Sequence, residues 1–339
     1  MKQVNRIENV REFKYEKERD ILWIVTMDKK LKGLSPENEV VFLVDQYQTY
    51  NLDVFPDSTI VFSTLKPEQT FVMRGETPEL ATYILHLEGR HYGDKFYCVT
   101  RYKGLTGYSR LDKKTLTLDD FWPLPFAQNG IQLVTGDKFV SSKKEFIAIS
   151  AFSDGTELAR YDFAELLGVE KASQFGNMVS HKGLLYFYVI DDKSSKYAAT
   201  FCMDEATGKI VNRWDGFGGN LFVLGDSIYA SYRHTIEVLD TVTGQVNKFD
   251  LEKELEPLGL QIRPLNSLYP GDGLLYFVDG HWAPTNRIGI IDLKTKKLSW
   301  HTEISVNDGV NNAIRRIAVQ GDKLYAIASD NVLHVFQRE

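Results

Sequence analysis

Short apolar runs alternate with glycine- and aspartate-bearing turns through the C-terminal half of the chain, and they return in one fixed order. Gly183-Leu-Leu-Tyr-Phe-Tyr-Val-Ile precedes Phe201-Cys-Met-Asp-Glu-Ala-Thr-Gly-Lys-Ile-Val, which ends near Trp214. Gly225-Asp-Ser-Ile-Tyr-Ala-Ser precedes Ile236-Glu-Val-Leu-Asp-Thr-Val-Thr-Gly-Gln-Val. Gly273-Leu-Leu-Tyr-Phe-Val precedes Ile288-Gly-Ile-Ile-Asp-Leu-Lys-Thr-Lys-Lys-Leu-Ser-Trp300, and Gly321-Asp-Lys-Leu-Tyr-Ala-Ile precedes Val332-Leu-His-Val-Phe. Runs this short, rich in branched and aromatic residues and bounded by turn formers, predict strands. Each unit reads as four: a short a strand, a Gly-Asp type turn, an apolar b strand with its Tyr, a variable loop, a c strand ending in Asp, a Thr-Gly turn, and a d strand closing on Trp or Phe.

A strand-only unit repeated at this period predicts an all-β fold, a β-propeller of four-stranded blades in one domain spanning residues 1–339. Weaker copies start at Gly93-Asp-Lys-Phe-Tyr-Cys-Val and Gly136-Asp-Lys-Phe-Val. In the first copy, Glu39-Val-Val-Phe-Leu-Val-Asp is taken as strand b and Thr49-Tyr-Asn-Leu-Asp-Val-Phe as strand c. The count is then seven blades of roughly 47 residues. It becomes eight if Ile21-Leu-Trp-Ile-Val is a separate strand b, and six if the N-terminal part is degenerate. The last copy stops after strand c, so its outer strand is expected from the N-terminal segment between Lys2 and Tyr15. Two d-to-a connections, at Tyr161-Asp-Phe-Ala-Glu-Leu-Leu-Gly and Phe249-Asp-Leu-Glu-Lys-Glu-Leu-Glu, each carry an Asp placed to cap a short helix.

Composition narrows the partners. The formal charge of −6 is spread in both signs with no basic stripe, so nucleic acid is not an expected partner. No apolar run is long enough to span a membrane, and Met1 to Asp20 holds no apolar leader core, so a cytoplasmic monomer is expected, or a secreted or periplasmic one if a leader has been removed. Cys98 and Cys202 sit inside apolar strand patterns and are expected as buried free thiols. The seven histidines form no zinc spacing, and there is no phosphate loop, nucleophile elbow or CxxC. Gly216-Phe-Gly-Gly is a d-to-a turn, since no helix follows it.

In a propeller the d-to-a and b-to-c loops share one face, and strand a lines a central channel. Asn177, Asn220 and Asn266 recur in strand a, with Arg316 and Gln132 in matching places. Asparagine is poor in strands, so the repeat is either a set of amides bracing neighbouring blades or a ring of oxygen ligands for a cation or polar molecule. Asp45, Asp191, Asp279 and Asp330 recur at the ends of strand b, either as Asx-turns or as carboxylates around a mouth. The loops add Tyr232, Arg233 and His234, and also His281, Trp282 and Arg287, residue types that interfaces favour. His86 and His91, flanking Glu88 and Arg90, form a further cluster.

Cys202-Met-Asp-Glu-Ala-Thr-Gly-Lys-Ile-Val-Asn-Arg-Trp214 resembles the repeat of quinoprotein-like propellers, and Leu239-Asp-Thr-Val-Thr-Gly-Gln-Val and Ile291-Asp-Leu-Lys-Thr-Lys-Lys-Leu-Ser-Trp300 are similar. The resemblance implies the fold: Asp and Thr-Gly make the c-to-d turn and Trp packs between blades. Quinone-dependent members also carry adjacent cysteines or a calcium-held cofactor, and this chain has no adjacent cysteines, so PQQ is not expected. A quinoprotein oxidoreductase is kept as a remote alternative, and two functions lead. One is a non-enzymatic scaffold that binds a protein, peptide or small polar ligand on the loop face. The other is a calcium-assisted hydrolase, lactonase or lyase, with Asn177, Asn220, Asn266 and Asp279 as metal ligands and His281 or His234 as general base.

Overall fold

Turn chemistry decides where each strand reverses. At Lys182-Gly183 (φ 51° and 75°) and Asp272-Gly273 (φ 53° and 74°) both central residues take the left-handed region, the geometry that matches strand twist in a two-residue hairpin. At the c-to-d reversals the carboxylates of Asp204, Asp240 and Asp292 accept backbone N–H groups from Thr207, Thr243 and Thr295 at 2.7, 2.9 and 2.9 Å. Those bonds to the charged form hold Asp240 and Asp292 below the usual carboxylate range.

The computed structural model describes residues 1–55, 57–85, 90–123, 131–135, 138–143, 145–194, 197–263, 268–280, 283–307 and 313–338, with only the backbone described at 90–92, 131–135 and 268. Among these residues the strands form eight sheets. β1 (Lys2–Ile7) belongs to the last of them. β2 (Val10–Glu16), β3 (Ile21–Thr26), β4 (Leu31–Leu34) and β5 (Val40–Val44) pair in that order. β6 (Thr49–Val54), β7 (Ile60–Leu65), β8 (Glu68–Met73) and β9 (Glu79–Leu80) make the next sheet. In the third, β10 (Ile84–Leu85) and β11 (Arg90–Tyr92) both pair with β12 (Lys95–Tyr102), followed by β13 (Leu105–Asp112) and β14 (Leu118–Pro123). β15 (Ile131–Thr135), β16 (Lys138–Ser142), β17 (Phe146–Ala151) and β18 (Glu157–Asp162) lead into helix α1 (Phe163–Leu167). β19 (Ala172–His181), β20 (Leu184–Asp191), β21 (Ala198–Asp204) and β22 (Ile210–Asp215) form the fifth sheet. β23 (Asn220–Leu224), β24 (Ser227–Tyr232), β25 (Thr235–Asp240) and β26 (Val246–Asp250) form the sixth, and α2 (Glu252–Leu255) comes next. β27 (Leu268–Gly271), β28 (Leu274–Val278), β29 (Arg287–Asp292) and β30 (Lys297–Glu303) make the seventh. β31 (Ile314–Gln320), β32 (Lys323–Ala328) and β33 (Leu333–Gln337) complete the eighth, with β1 as its outer strand on β33. The N-terminal strand expected for the last blade is therefore Lys2–Ile7.

The chain clusters into two compact units. One comprises residues 1–6, 140–150 and 157–339, the other residues 7–139 and 151–156. The second unit is centred on Trp23, Phe62, Phe71 and Met73, with a further cluster around Phe55, Phe96 and Leu111. In the first unit, each sheet packs its b and c strands on the next: Tyr186 and Cys202 meet Leu221 and Ile228, while Ile236 meets Leu275 and Ile291. Trp214 of β22 stacks on Tyr186 at 6.0 Å and donates its indole N–H to the Gly244 carbonyl of the neighbouring sheet at 3.2 Å. Burying rings of this size supplies most of the favourable free energy of such packing.

Eight sheets replace the seven expected, the count given for the case in which Ile21-Leu-Trp-Ile-Val is a separate strand b. Val40–Val44 is the outer strand β5, not a b strand, and Thr49–Val54 is the inner strand β6, not a c strand. The b strands of the two N-terminal sheets are Ile21–Thr26 and Ile60–Leu65. They escape the glycine pattern because Asp20 (φ 53°) and Ser58 (φ 64°) take the left-handed turn position instead. Helix α1 is capped as expected: the Asp162 carboxylate accepts from Ala164 and Glu165, and Gly168 ends the helix. In α2 the cap position falls to Leu251, one residue beyond Asp250, whose carboxylate still accepts from Glu252 N at 2.8 Å. Cys98 and Cys202 are buried and free, and burial pushes both thiols up, Cys202 to about 11.

Candidate functional site

The d-to-a connection after β22 is shaped by three close approaches. Phe217 is buried and its carbonyl accepts from Thr200 Oγ1 at 2.8 Å. Gly218 adopts φ 153°, and a Cβ there would run into the Tyr188 ring. At Gly219 (φ 131°) a Cβ would lie 2.7 Å from the Ser231 carbonyl. Only glycine fits such backbone conformations at this closeness.

The space beside this turn is a pocket of about 300 Å³ between the fifth and sixth sheets. Phe175, Tyr188 and Tyr232 provide aromatic walls, and Ile190 and Ala230 aliphatic ones. Phe175 and Tyr188 meet nearly at right angles, 81°, with centroids 6.3 Å apart. The polar groups are Thr235, Glu237, Lys248 and the backbone at Gly216 and Gly218. Glu237 and Lys248 face each other across β25 and β26. The Glu237 side chain is 14% exposed and that of Lys248 60%, with Oε1 and Nζ 3.7 Å apart. Glu237 Oε2 accepts from Gly218 N at 3.2 Å, which fixes the carboxylate. Burial first, then the charge of Glu237, then Tyr232 raise the Tyr188 phenol to about 12. It stays neutral and can donate a hydrogen bond.

Tyr232, expected from the loop pattern, ends β24 in this pocket, 39% exposed. Arg233 comes directly after it, with its guanidinium 5.4 Å from the Tyr232 ring centroid. His234 holds the α2 connection instead of facing the pocket. Its Nε2 lies 3.0 Å from the Leu260 carbonyl, so that nitrogen donates, and its own carbonyl accepts from Leu251 N at 2.7 Å.

Of the strand-a asparagines described, Asn220 has a side chain that bridges neighbouring sheets. Asn220 is buried and its Oδ1 accepts from Asn177 N at 3.3 Å, tying β23 to β19, while Asn177 itself is exposed. Arg316 is half-buried in β31. Asn266, His281 and Trp282 lie outside the described residues, as do His86 and Glu88, while the side chains of Arg90, His91 and Gln132 are not among those described. Asp191 and Asp330 make Asx-turns. The first accepts from Lys193 N at 2.9 Å and from Ser194 Oγ, the second from Val332 N at 3.1 Å and Asn307 N at 3.0 Å. The Ser194 and Lys193 bonds hold Asp191 below the usual carboxylate range. Asp45 is exposed and comes after β5, a d strand, so it does not end a b strand as expected.

Asp279 is the most engaged of the set. Its Oδ1 accepts from Gln261 N at 2.7 Å, and its Oδ2 accepts from Thr285 Oγ1 at 2.9 Å and lies 2.6 Å from Arg287 Nη2. Arg287 also donates to the carbonyls of Leu258 and Gly259 at 3.1 and 2.7 Å. Among the described residues no three His, Cys, Asp or Glu side chains are grouped to hold a metal ion.

Glu237, Lys248, Tyr188 and Phe175 are functional candidates that the strand-and-loop reading passes over. One signal for Glu237 was present: counted back from the Asp that ends strand c, it stands where neighbouring units carry Phe201 and Gly289.

The fold and the pocket together define a β-propeller with four-stranded blades, eight in number. No family model matches the sequence, and no curated protein matches it either. Similar solved structures are BamB from Moraxella catarrhalis (12% identity, 99% of each chain covered, TM-score 0.58) and Sqt1 from Saccharomyces cerevisiae (12% identity, 99% of each, TM-score 0.62), both β-propellers. The computationally designed Ika8 protein is also similar, at 14% identity over 99% of this chain and 98% of that one, with a TM-score of 0.60. At these identities the likeness concerns the fold. No helix among the described residues is long and apolar enough to cross a membrane.

Proposed function

We propose that this chain is a non-enzymatic recognition propeller that binds a segment of a partner protein or peptide in the pocket between its fifth and sixth sheets. The observation that carries this reading is the pocket itself: a concave cleft with three aromatic walls and a largely buried carboxylate held on Gly218 N, the kind of lining that binding sites show. Its lining joins the d-to-a turn and residues of the b strands to Phe175 of β19, Thr235 and Glu237 of β25 and Lys248 of β26, so a rigid frame of strands carries the contact residues. The alternative of a calcium-assisted hydrolase asks Asn220 and Asp279 for free oxygens. Those oxygens already accept protein hydrogen bonds, which counts against it. The test is selection of binding peptides from a random display library, followed by affinity measurement on Tyr232→Ala and Thr235→Arg, both at the pocket rim. Peptides that lose binding to both variants support the reading. Peptides that bind both variants as tightly as the parent would overturn it.

A further inference from the structure

The pocket's charge arrangement specifies its ligand further, an assignment that rests on the binding reading above. Glu237 is largely buried, yet among the described residues only one of its oxygens is satisfied by the frame, Oε2 on Gly218 N. The other, Oε1, faces an ammonium that the protein itself supplies. Lys248 Nζ stands 3.7 Å away on a mostly exposed side chain. An ion pair with a solvated lysine at that distance is weak and easily exchanged. Around the carboxylate stand the rings of Phe175, Tyr188 and Tyr232, and two of those rings are set almost perpendicular. Aromatic faces attract cations and repel anions, and the raised phenol of Tyr188 adds no competing negative charge.

We propose that the pocket takes an alkylammonium group, such as a lysine side chain of the partner, with Glu237 as its counter-ion and with Lys248 swinging out as the ligand enters. Lys248 then acts as a resident competitor that keeps the buried carboxylate paired while the pocket is empty. The aromatic walls hold the methylene stem and the faces of the rings hold the charge. A neutral apolar group would fill the same volume and leave Oε1 with no gain. An anionic group would meet Glu237 directly.

The test uses choline and its neutral isostere 3,3-dimethyl-1-butanol as probes, titrated against the full chain and followed by NMR of the tyrosine rings. Choline is expected to bind at least about tenfold more tightly than the alcohol. Glu237→Gln should remove that preference, since the amide oxygen can still accept from Gly218 N while the charge is gone. Lys248→Met should tighten choline binding several-fold. A melting curve for each variant separates lost binding from lost structure. Equal binding of the two probes, unchanged by Glu237→Gln, would overturn the ammonium assignment and leave an apolar peptide pocket standing. Binding of neither probe by the parent, while library peptides still bind, would overturn it as well. Loss of peptide binding too would remove the binding reading itself.

Discussion

Replacing Asp279 by alanine distinguishes a structural brace from a cation ligand. The carboxylate receives the Gln261 N–H, the Thr285 hydroxyl and the Arg287 guanidinium, and the side chain is 2% exposed. Hydrogen bonds to a charged group are worth about 1.5–3 kcal/mol each, but they share one carboxylate and do not add. Arg287 is 31% exposed and keeps the Leu258 and Gly259 carbonyls, so water and those acceptors recover part of its loss. Breaking a buried ion pair from one side costs about 3–5 kcal/mol, and the partial exposure of Arg287 places Asp279→Ala near the lower end, about 3 kcal/mol. Asp279→Asn keeps the shape and one acceptor oxygen and should lose less, about 1–2 kcal/mol. Urea unfolding followed by tryptophan fluorescence, with calcium and with chelator, reads both numbers. A brace predicts these losses regardless of calcium. The reasoning fails if Asp279→Ala lies within about 1 kcal/mol of the parent. It fails equally if calcium stabilises the parent and not the variant, since a site at hundredfold ligand excess gives about 2.7 kcal/mol.

Two other positions can be tested in the same way. His334 on β33 is buried, and neither ring nitrogen has a hydrogen-bond partner among the described residues. Burial, with Arg6 adding to it and Asp330 opposing it, lowers its pKa, so the fold holds it neutral while the unfolded chain protonates it near pH 6.5. Stability should therefore fall as pH drops below about 6.5, and His334→Leu should flatten that part of the profile in a melting series against pH; an unchanged slope would contradict it. Gly218→Ala would place a methyl against the Tyr188 ring at φ 153°. The expected outcome is about 2–3 kcal/mol of lost stability together with loss of pocket binding, and a variant as stable as the parent would show that the turn can relax.

How far the sequence reached depends on whether each feature is local. The c-to-d turns were legible because Asp240 and Thr243 are three residues apart and their bond is set by that spacing alone. The Asp162 cap was legible for the same reason. Blade number was legible only as an alternative, because the count of seven rested on glycine as the marker of a left-handed turn residue, and Asp20 and Ser58 take that conformation at the cost of some backbone strain. The run Val40–Val44 then looked like a buried b strand, although Val40, Val41 and Leu43 are about half exposed on an outer strand. The recurrent Asn and Asp positions were visible as a pattern. Their partners were not, because Asn177 meets Asn220, and Arg287 reaches Leu258 and Gly259, only once strands distant in sequence are placed side by side. The pocket lies at the same limit: Tyr232 could be read from its loop, but Tyr188 becomes a wall only where Gly218 lets the turn close on it.

The pairing of β1 with β33 has a consequence for how the protein is made. β1 leaves the ribosome ahead of every other strand described, yet it is the outer strand of a sheet whose other three members emerge after all the rest. Lys2–Ile7 must stay unpaired and accessible while the intervening strands are synthesised, and its lysine and arginine suit that wait, since charged edge strands resist stray pairing. A chain that stops before β33 leaves β32 with an open hydrogen-bonding edge and β1 with nowhere to dock. Truncated products are thereby marked as sticky and unfinished, the kind of species chaperones and proteases remove.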